Sequence, residues 1–162
     1  MYAETEVRAM KLEVINAFLT AARHSLSQEL QSEIKRTGLF VDPSENAIDE
    51  VAVYLSFVGQ VRGTMLLGFD LTTARKIASA MVREPLAELT EMGLSALAEL
   101  GNLIAGCTCI ELEQLGFSAD ISPPTIMIGA RSRISTLGIR RVVLPLATQH
   151  GHFNLHVAVD IT

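Results

Sequence analysis

The sequence predicts an α+β domain in which hairpins form one antiparallel sheet and two long helices cover one face of that sheet. Apolar residues recur at helical spacing in two long segments, one near the start of the chain and one near its middle. Each segment is followed, after a loop, by two β-branched stretches separated by a turn. Antiparallel hairpins beside helices are typical of the α+β class. Because the order helix, loop, hairpin occurs twice, we expect a pseudo-repeat of two similar halves.

The length and composition suit one globular domain covering residues 1–162. A chain of 162 residues with 49% hydrophobic residues can bury a sizeable core. No apolar run approaches the ~18 residues of a membrane span, and the first ten residues carry acids in place of a basic flank. We therefore expect a soluble, cytoplasmic protein with no membrane partner. The net charge of -5 gives no general attraction to nucleic acid, so no nucleic-acid partner is expected.

In the first half, apolar periodicity predicts a helix from about Arg8 to Lys35, ended by Gly38. Residues 40–43 and the polar residues after them are expected to form a short extended piece and a loop. Two β-branched and aromatic stretches then predict strands, joined by a tight turn at Gly59 and Gln60. These two strands span residues 51–58 and 61–69.

A short helix over residues 73–82 is expected next, capped by Asp70 or Thr72. Pro85 suits the first turn of the second long helix, which we expect to run to about Leu115 and to stop at Gly116.

The chain after the second long helix is again extended. Two prolines within residues 119–128 exclude a central hydrogen-bonded strand, so a crossing or edge segment is expected there. Residues 139–147 and 153–159 predict two more strands, joined near residues 149–151.

The candidate functional site is a line of polar residues on the second long helix. Successive residues of a helix are about 100° apart, so this line falls within an arc of roughly 60°. The line consists of Ser95, Glu99, Asn102 and Gly106. A carboxylate and a carboxamide are thus neighbours one turn apart, and the small residues at both ends would let a partner's backbone or a phosphate approach them. The neighbouring apolar side chains point elsewhere, namely Leu97, Leu100, Leu103, Ile104 and Cys107.

The spacing Glu-x-x-Asn is not diagnostic by itself, because the chain contains it twice. The first copy is Glu13 and Asn16, and the second is Glu99 and Asn102. The two copies differ in their frame: Ser95 and Gly106 lie four positions before Glu99 and four after Asn102, whereas Ala9 and Thr20 occupy those positions around the first pair. We therefore interpret the first copy as a solvated stripe on a surface helix.

Histidines and cysteines offer a weaker hypothesis of metal binding. His150, His152 and His156 share a parity on the last strand, but no carboxylate or cysteine is visibly tied to that face. A solvent-facing strand surface is the favoured interpretation, and no metal site is predicted. Cys107 and Cys109 point about 200° apart on one helix, so they cannot pair, and small-residue packing is their favoured role.

The polar frame lies in a segment that resembles a known family. Residues 98–106 (Ala-Glu-Leu-Gly-Asn-Leu-Ile-Ala-Gly), followed by Gln-Leu-Gly-Phe at 114–117 and Asp-Ile-Ser-Pro-Pro-Thr-Ile at 120–126, resemble the CheX/CheC/FliY family of chemotaxis phosphatases. The CheX type is the most similar. The likeness extends from residues 14–18 to the last hairpin and implies a CheC-like fold. It also implies a cytoplasmic homodimer that removes the aspartyl phosphate of a phosphorylated CheY-like response regulator.

The resemblance also implies a role for each site residue. Glu99 would pair with the regulator's phosphate-site lysine, and Asn102 would position the attacking water. Ser95 and Gly106 would contact the partner. The Mg²⁺ would be supplied by the regulator, so this chain needs no cofactor of its own. CheC and FliY types carry the motif on both long helices whereas CheX types carry it once, and we favour one site per chain.

General chemistry supports the role of the asparagine independently of the resemblance. Phosphoryl transfer to water needs in-line positioning and electrostatic support more than a strong base, and a carboxamide can both donate to a water and accept from it. Glu99 as a general base is the competing interpretation, but an exposed carboxylate is a weak base toward water at neutral pH. The alternative function is a non-catalytic adaptor that holds a signalling partner on the same helix face. A homodimer is also favoured by the edge hairpin at the end of the chain.

Overall fold

The structure is a computed structural model that describes residues 2–42, 45–47, 49–129, 133–135 and 138–162. The described helices are α1 (Tyr2–Leu30), α2 (Leu71–Val82) and α3 (Glu91–Gln114). The described strands, in chain order, are β1 (Lys35–Arg36), β2 (Phe40–Asp42), β3 (Glu45–Ala47), β4 (Val51–Gly59), β5 (Val61–Phe69), β6 (Ala119–Ile121), β7 (Thr125–Ile128), β8 (Arg133–Ser135), β9 (Arg141–Thr148) and β10 (Gly151–Ile161).

Eight strands form one antiparallel sheet in the order β1-β9-β10-β5-β4-β6, with β2 also paired to β9 and β7 also paired to β4. Strands β3 and β8 pair separately. The segments after the two long helices cross over: β1 and β2 follow α1 but pair with β9, while β6 and β7 follow α3 but pair with β4. The α+β class and the pseudo-repeat are therefore confirmed, and each half is completed by strands of the other.

The long helices cover one face of the sheet because each strand alternates between two environments. On β4, Val53, Leu55 and Phe57 are buried in the main core, together with apolar residues of α1 and α3. The ring of Phe57 meets that of Phe18 on α1 edge to face, with centroids 5.0 Å apart. Ala52 and Tyr54, which alternate with these residues along β4, belong to a separate small cluster on the opposite face. The predicted arrangement of two long helices on one face is confirmed.

The first helix has different ends from those predicted. It begins at Tyr2 and ends at Leu30, and the next residue, Gln31, adopts a left-handed conformation with φ 48°. Ile34 is buried after the helix has ended, so it continues the apolar pattern without continuing the helix. The prediction that Gly38 ends the helix is wrong, because β1 already lies between Leu30 and Gly38.

The start of the second long helix is also corrected. Pro85 lies in the connection between α2 and α3, because α2 ends at a left-handed Arg83 (φ 60°) and α3 begins only after Thr90. The hydroxyl of Thr90 accepts the backbone N–H of Gly93 at 3.2 Å, which caps α3. The predicted end is confirmed, since α3 stops at Gln114 shortly before Gly116.

The loop expected after residues 40–43 is wrong at Glu45–Ala47, which form strand β3, and residues 43, 44 and 48 lie outside the described residues. The other local predictions are confirmed with small shifts of boundary. Of the two predicted caps of α2, Asp70 is the one observed, and its carboxylate accepts the backbone N–H of Thr73 at 2.6 Å. The strands before it form the predicted hairpin. The two prolines separate β6 from β7 at the edge of the sheet, and the Ser122 hydroxyl beside them accepts the backbone N–H of Ser56 at 2.8 Å. Strands β9 and β10 form the predicted last hairpin, but its expected position at the edge of the sheet is wrong, because β9 also pairs with β1 and β2 and β10 also pairs with β5.

The histidine-bearing face of β10 is not the solvent-facing surface that we expected. His156 and Ala158 are buried there, whereas His152 is exposed. A methyl group placed on Gly68 would lie 2.6 Å from Asp49 Oδ2 and 3.4 Å from His156 Nε2, so both side chains lie over this glycine. The sequence could not show this, because Asp49 comes from a distant part of the chain. Among the residues that the structure describes, no group of three or more potential metal ligands comes together.

Of the described helices, α3 alone is long and apolar enough to cross a membrane by length and composition. In this fold, residues of α3 such as Leu97 and Leu100 are buried in the core formed with the sheet and α1. A core helix meets the same criteria of length and composition, so this property is a weak indication of a membrane span.

Candidate functional site

Helix α3 presents one apolar face to the core and one polar face to solvent. On the inner side, Leu97, Leu100 and Ile104 have no exposed surface. On the outer side, Glu99 and Asn102 are exposed, as is Ser95 one turn before Glu99. The structure therefore brings the predicted polar residues together on one outer face of a helix whose other side is fixed by the core. We call the face formed by Ser95, Glu99, Asn102 and Gly106 the polar face of α3.

The two long side chains of this face are not used by the rest of the chain. Within the described residues, neither Glu99 nor Asn102 makes a side-chain hydrogen bond or an ion pair. A carboxylate offers acceptors only, whereas a carboxamide offers two donors and an acceptor. The polar face can therefore bind a cation through Glu99 and hold a water molecule or an anion through Asn102, without first breaking a contact of its own.

The glycine that ends the polar face leaves space for a partner. A methyl group placed on Gly106 would meet no heavy atom of the described chain within 4 Å. Glycine costs a helix interior about 1 kcal/mol relative to alanine. Since nothing in the packing of the described residues requires glycine at this position, the absence of a side chain leaves the helix backbone accessible beside Asn102.

A different glycine, which the sequence reasoning did not single out, positions the polar face on the sheet. A methyl group placed on Gly101 would lie 2.6 Å from Val53 Cγ1 and 3.1 Å from Leu55 Cδ1 of β4. Gly101 therefore allows α3 to pack against the sheet more closely than any other residue would. The signal in the sequence was a small residue directly before Asn102 in an otherwise apolar stretch. The reason for the small residue is the close approach of β4, which the sequence does not show.

The N-terminal end of α3 is held by the connection from α2. A methyl group on Gly93 would come within 3.1 Å of Leu86 Cδ1 and 3.2 Å of Leu89 Cδ1, so these leucines pack closely on the first turns of the helix. Farther along, the buried hydroxyl of Thr108 donates to the carbonyl oxygen of Ile104 at 2.8 Å. That bond satisfies a buried group within the helix, whereas Leu112, which has no exposed surface, packs in the main core, so the helix is held on both sides of Glu99 and Asn102.

The first Glu-x-x-Asn pair is exposed on a different helix. Glu13 and Asn16 lie on the outer side of α1, opposite Val14 and Phe18, which are buried. Exposure therefore does not distinguish this pair from the pair on α3. The difference between the two remains the frame, which is Ser95 and Gly106 on α3 but Ala9 and Thr20 on α1.

The two cysteines are free thiols, as predicted, and both are partly buried on α3. Burial raises the pKa of the Cys109 thiol, and the negative charge of Asp120 raises it further. Cys109 therefore behaves as a packing residue and not as an activated nucleophile, because a raised pKa lowers the thiolate fraction at neutral pH.

Comparison with known proteins identifies a family for this arrangement. Residues 51–147, which include the whole polar face, match the family described as chemotaxis phosphatase CheX. The chain is also 32% identical, over 153 residues, to the CheY-P phosphatase CheX of Thermotoga maritima. That alignment covers 93% of this chain and 97% of the relative.

Solved structures share the fold. The CheX of a CheX-CheY-BeF3-Mg²⁺ complex from Borrelia burgdorferi is 28% identical to this chain, with a TM-score of 0.79 over 90% of this chain and 96% of that one. The chemotaxis protein CheX of Desulfovibrio desulfuricans has a TM-score of 0.81 at 21% identity, over 91% of this chain and 99% of that one. The latter similarity concerns the fold alone.

Proposed function

Because the chain belongs to the CheX family of chemotaxis phosphatases, we propose that it hydrolyses the aspartyl phosphate of a phosphorylated CheY-like response regulator. The observation that carries this proposal is the exposed and unengaged pair of Glu99 and Asn102 on α3, within the part of the chain that matches the family. The relative from Thermotoga maritima is a CheY-P phosphatase, which supports the same reaction for this chain. We expect the reaction to occur in the cytoplasm.

The proposed role of Asn102 is to orient the attacking water. The transition state of phosphoryl transfer is loose, so the main requirements are an in-line nucleophile and support for charge on the equatorial oxygens. A carboxamide can accept one hydrogen of the water and donate to a phosphoryl oxygen at the same time. Asn102 is exposed and has no competing partner in the described chain, so it can take up both interactions when α3 docks.

The proposed role of Glu99 is to pair with the regulator's phosphate-site lysine. Glu99 lies one helical turn from Asn102, so a lysine bound to its carboxylate would lie near the water held by the carboxamide. Charge-assisted hydrogen bonds of this kind are among the stronger contacts at an interface. An ion pair with a lysine also suits an exposed carboxylate better than general-base catalysis, since such a carboxylate is a weak base toward water at neutral pH.

Ser95 and Gly106 would allow the regulator to approach closely at both ends of the polar face. The metal would come with the regulator, as the CheX-CheY-BeF3-Mg²⁺ complex of the Borrelia burgdorferi relative suggests. BeF3⁻ has the shape and charge of a phosphoryl group, so that complex is consistent with docking of a phosphorylated regulator. In this proposal the described chain contributes orientation and charge, and the regulator contributes the phosphoryl group and Mg²⁺.

We also propose that the protein is a homodimer. The apolar residues Leu39, Phe40 and Val41 are about half exposed at or beside β2, which pairs with β9. Exposed apolar residues on an edge strand favour pairing with a second chain. Light scattering at micromolar concentration should give twice the monomer mass, and a monomer there would contradict this part of the proposal.

The decisive experiment measures phosphate release from a regulator. A CheY-like regulator is phosphorylated with acetyl phosphate in the presence of Mg²⁺, freed of excess donor, and mixed with catalytic amounts of this protein. We expect inorganic phosphate to appear faster than the regulator releases it alone, and the acceleration to be lost in the Asn102→Ala variant. Binding of the regulator without faster release would instead identify a non-catalytic adaptor.

A further inference from the structure

A second site of unusual charge lies at the C-terminal end of α2, on a surface that does not include the polar face of α3. An open cavity of about 430 Å³ is lined there by α2, by the connection that follows it and by the turn between β9 and β10. Its lining carries the cations Arg75, Lys76 and Arg83 with His150, against the single carboxylate of Glu84. The chain as a whole has a net charge of -5. The cavity is therefore locally positive in an acidic protein.

Hydrogen bonds hold the wall of this cavity in place. The Arg75 guanidinium donates through Nη1 to the carbonyl oxygen of Leu86 at 3.0 Å. The Ser79 hydroxyl donates to the carbonyl oxygen of Arg75 at 2.7 Å and accepts the backbone N–H of Leu86 at 3.0 Å. These bonds tie the connection to α2. They leave most of the five guanidinium N–H donors of Arg75 uncommitted.

Two of the cations that line the cavity lack an ion-pair partner within the described residues. Neither Lys76 nor Arg83 forms an ion pair with a described residue, although Glu84 lines the same cavity. The negative end of the α2 dipole accounts for a cation at Arg83, but the dipole effect is confined to the last turn of a helix and does not reach Lys76. A concave surface on which cations outnumber carboxylates is an arrangement that can bind phosphate groups, although Glu29 lines an adjacent depression with Arg83.

We propose that this cavity binds a small phosphate-bearing metabolite. The cations would hold the phosphate group or groups, and the apolar residues Ala80, Pro85 and Leu86 would contact the organic part. The volume lies in the range of about 300–1,000 Å³ that is common for small-molecule sites. No residue of α3 lines the cavity. The inference therefore does not depend on the proposed phosphatase activity.

Calorimetric titration of the protein tests this inference. The two probes are ATP and inorganic pyrophosphate, and about 0.15 M salt screens diffuse charge effects. The test variant is Lys76→Ala with Arg83→Ala; Arg75 is retained because its hydrogen bond supports the fold. The control is Arg62→Ala, which removes one exposed cation at the opposite end of β5 from α2. For the unchanged protein we expect a Kd below about 1 mM for one of the two probes. Binding should be at least about 10-fold weaker in the double variant and within about twofold of normal in the control, reflecting the loss of charge-assisted contacts.

Three results would overturn the inference. The first is the absence of saturable binding of both probes to the unchanged protein. The second is equal weakening in the double variant and in the Arg62→Ala control, which would indicate a general charge effect. The third is a higher KM for the phosphorylated regulator in the double variant when the unchanged protein binds neither probe. That result would show that this surface contacts the regulator and does not bind a small molecule. Circular dichroism of the double variant serves as the check that it is folded.

Discussion

Gly101 of α3 and Val53 of β4 are in such close contact that a methyl group on the glycine would lie 2.6 Å from Val53 Cγ1. Val53 is fully buried in a β-strand with neighbours on both sides, so it cannot move aside easily. The close approach fixes the height of α3 above the sheet, and Asn102 is the next residue. The position of the polar face is thus linked to the packing of the core.

The Gly101→Ala variant should be less stable than the unchanged protein. The added methyl group would overpack the contact with Val53, which costs about 1–3 kcal/mol in the free energy of unfolding and outweighs the gain in helix propensity. Urea unfolding followed by circular dichroism measures this loss. A variant as stable as the unchanged protein would show that α3 can move away from the sheet at little cost.

The Gly106→Ala variant is the matched control for stability and a separate test of the polar face. A methyl group at this position meets no described atom, so helix propensity should raise the free energy of unfolding by up to about 1 kcal/mol. If the regulator's backbone approaches there, the same methyl group should raise the KM for the phosphorylated regulator. A stabilised variant with unchanged KM would remove Gly106 from the proposed interface.

The Asn102→Ala variant should lose turnover while the docking surface stays intact. Removing the carboxamide that orients water should lower the rate of dephosphorylation by roughly two orders of magnitude, or about 2.7 kcal/mol of transition-state stabilisation. The Asn16→Ala variant is the control, because that asparagine is also exposed on a long helix. If Asn102→Ala stayed within about threefold of the normal rate while Asn16→Ala did not, the site would lie on α1.

The Glu99→Gln variant should weaken binding of the regulator as well as turnover. The substitution keeps the shape of the side chain but removes the charge proposed to meet the regulator's lysine, so kcat/KM should fall by about 10-fold or more. Initial rates over a range of regulator concentrations give this ratio, with Glu13→Gln as the control. An unchanged KM with a lower kcat would favour the general-base role for Glu99.

Cys109 should react slowly with alkylating reagents at neutral and mildly alkaline pH. Its raised pKa leaves less thiolate than an ordinary cysteine has at the same pH, and the thiolate is the reactive form. Labelling with iodoacetamide between pH 7 and 9, located by mass spectrometry, should therefore give a pH profile displaced upward. The Asp120→Asn variant should shift that profile back only in part, because burial is the larger cause. A shift to full normal reactivity would make the charge of Asp120 the main cause.

Features that depend on residues close together in the chain could be predicted from the sequence. Helical spacing was sufficient to place Glu99 and Asn102 on one outer face of a helix. Stretches of β-branched and aromatic residues separated by a turn were sufficient to find the β4–β5 and β9–β10 hairpins. The cap at Asp70 could also be predicted from the sequence, because a capping side chain bonds to a backbone group three residues away. The family resemblance rested on the same local motifs and was confirmed by the family match.

Features that depend on residues far apart in the chain could be seen only in the folded protein. Strands β1 and β2 cross over to pair with β9, and β6 and β7 cross over to pair with β4. The local sequence pattern of a strand does not indicate which other strand it pairs with. The burial of His156 and its position beside Asp49 follow from strands paired across the sheet, and so do not show in the alternation of β10 alone. Position 101 needs a glycine because Val53, a residue in another element, lies directly against it. Periodicity identifies which face of an element is buried, whereas the atoms that cover that face depend on non-local packing.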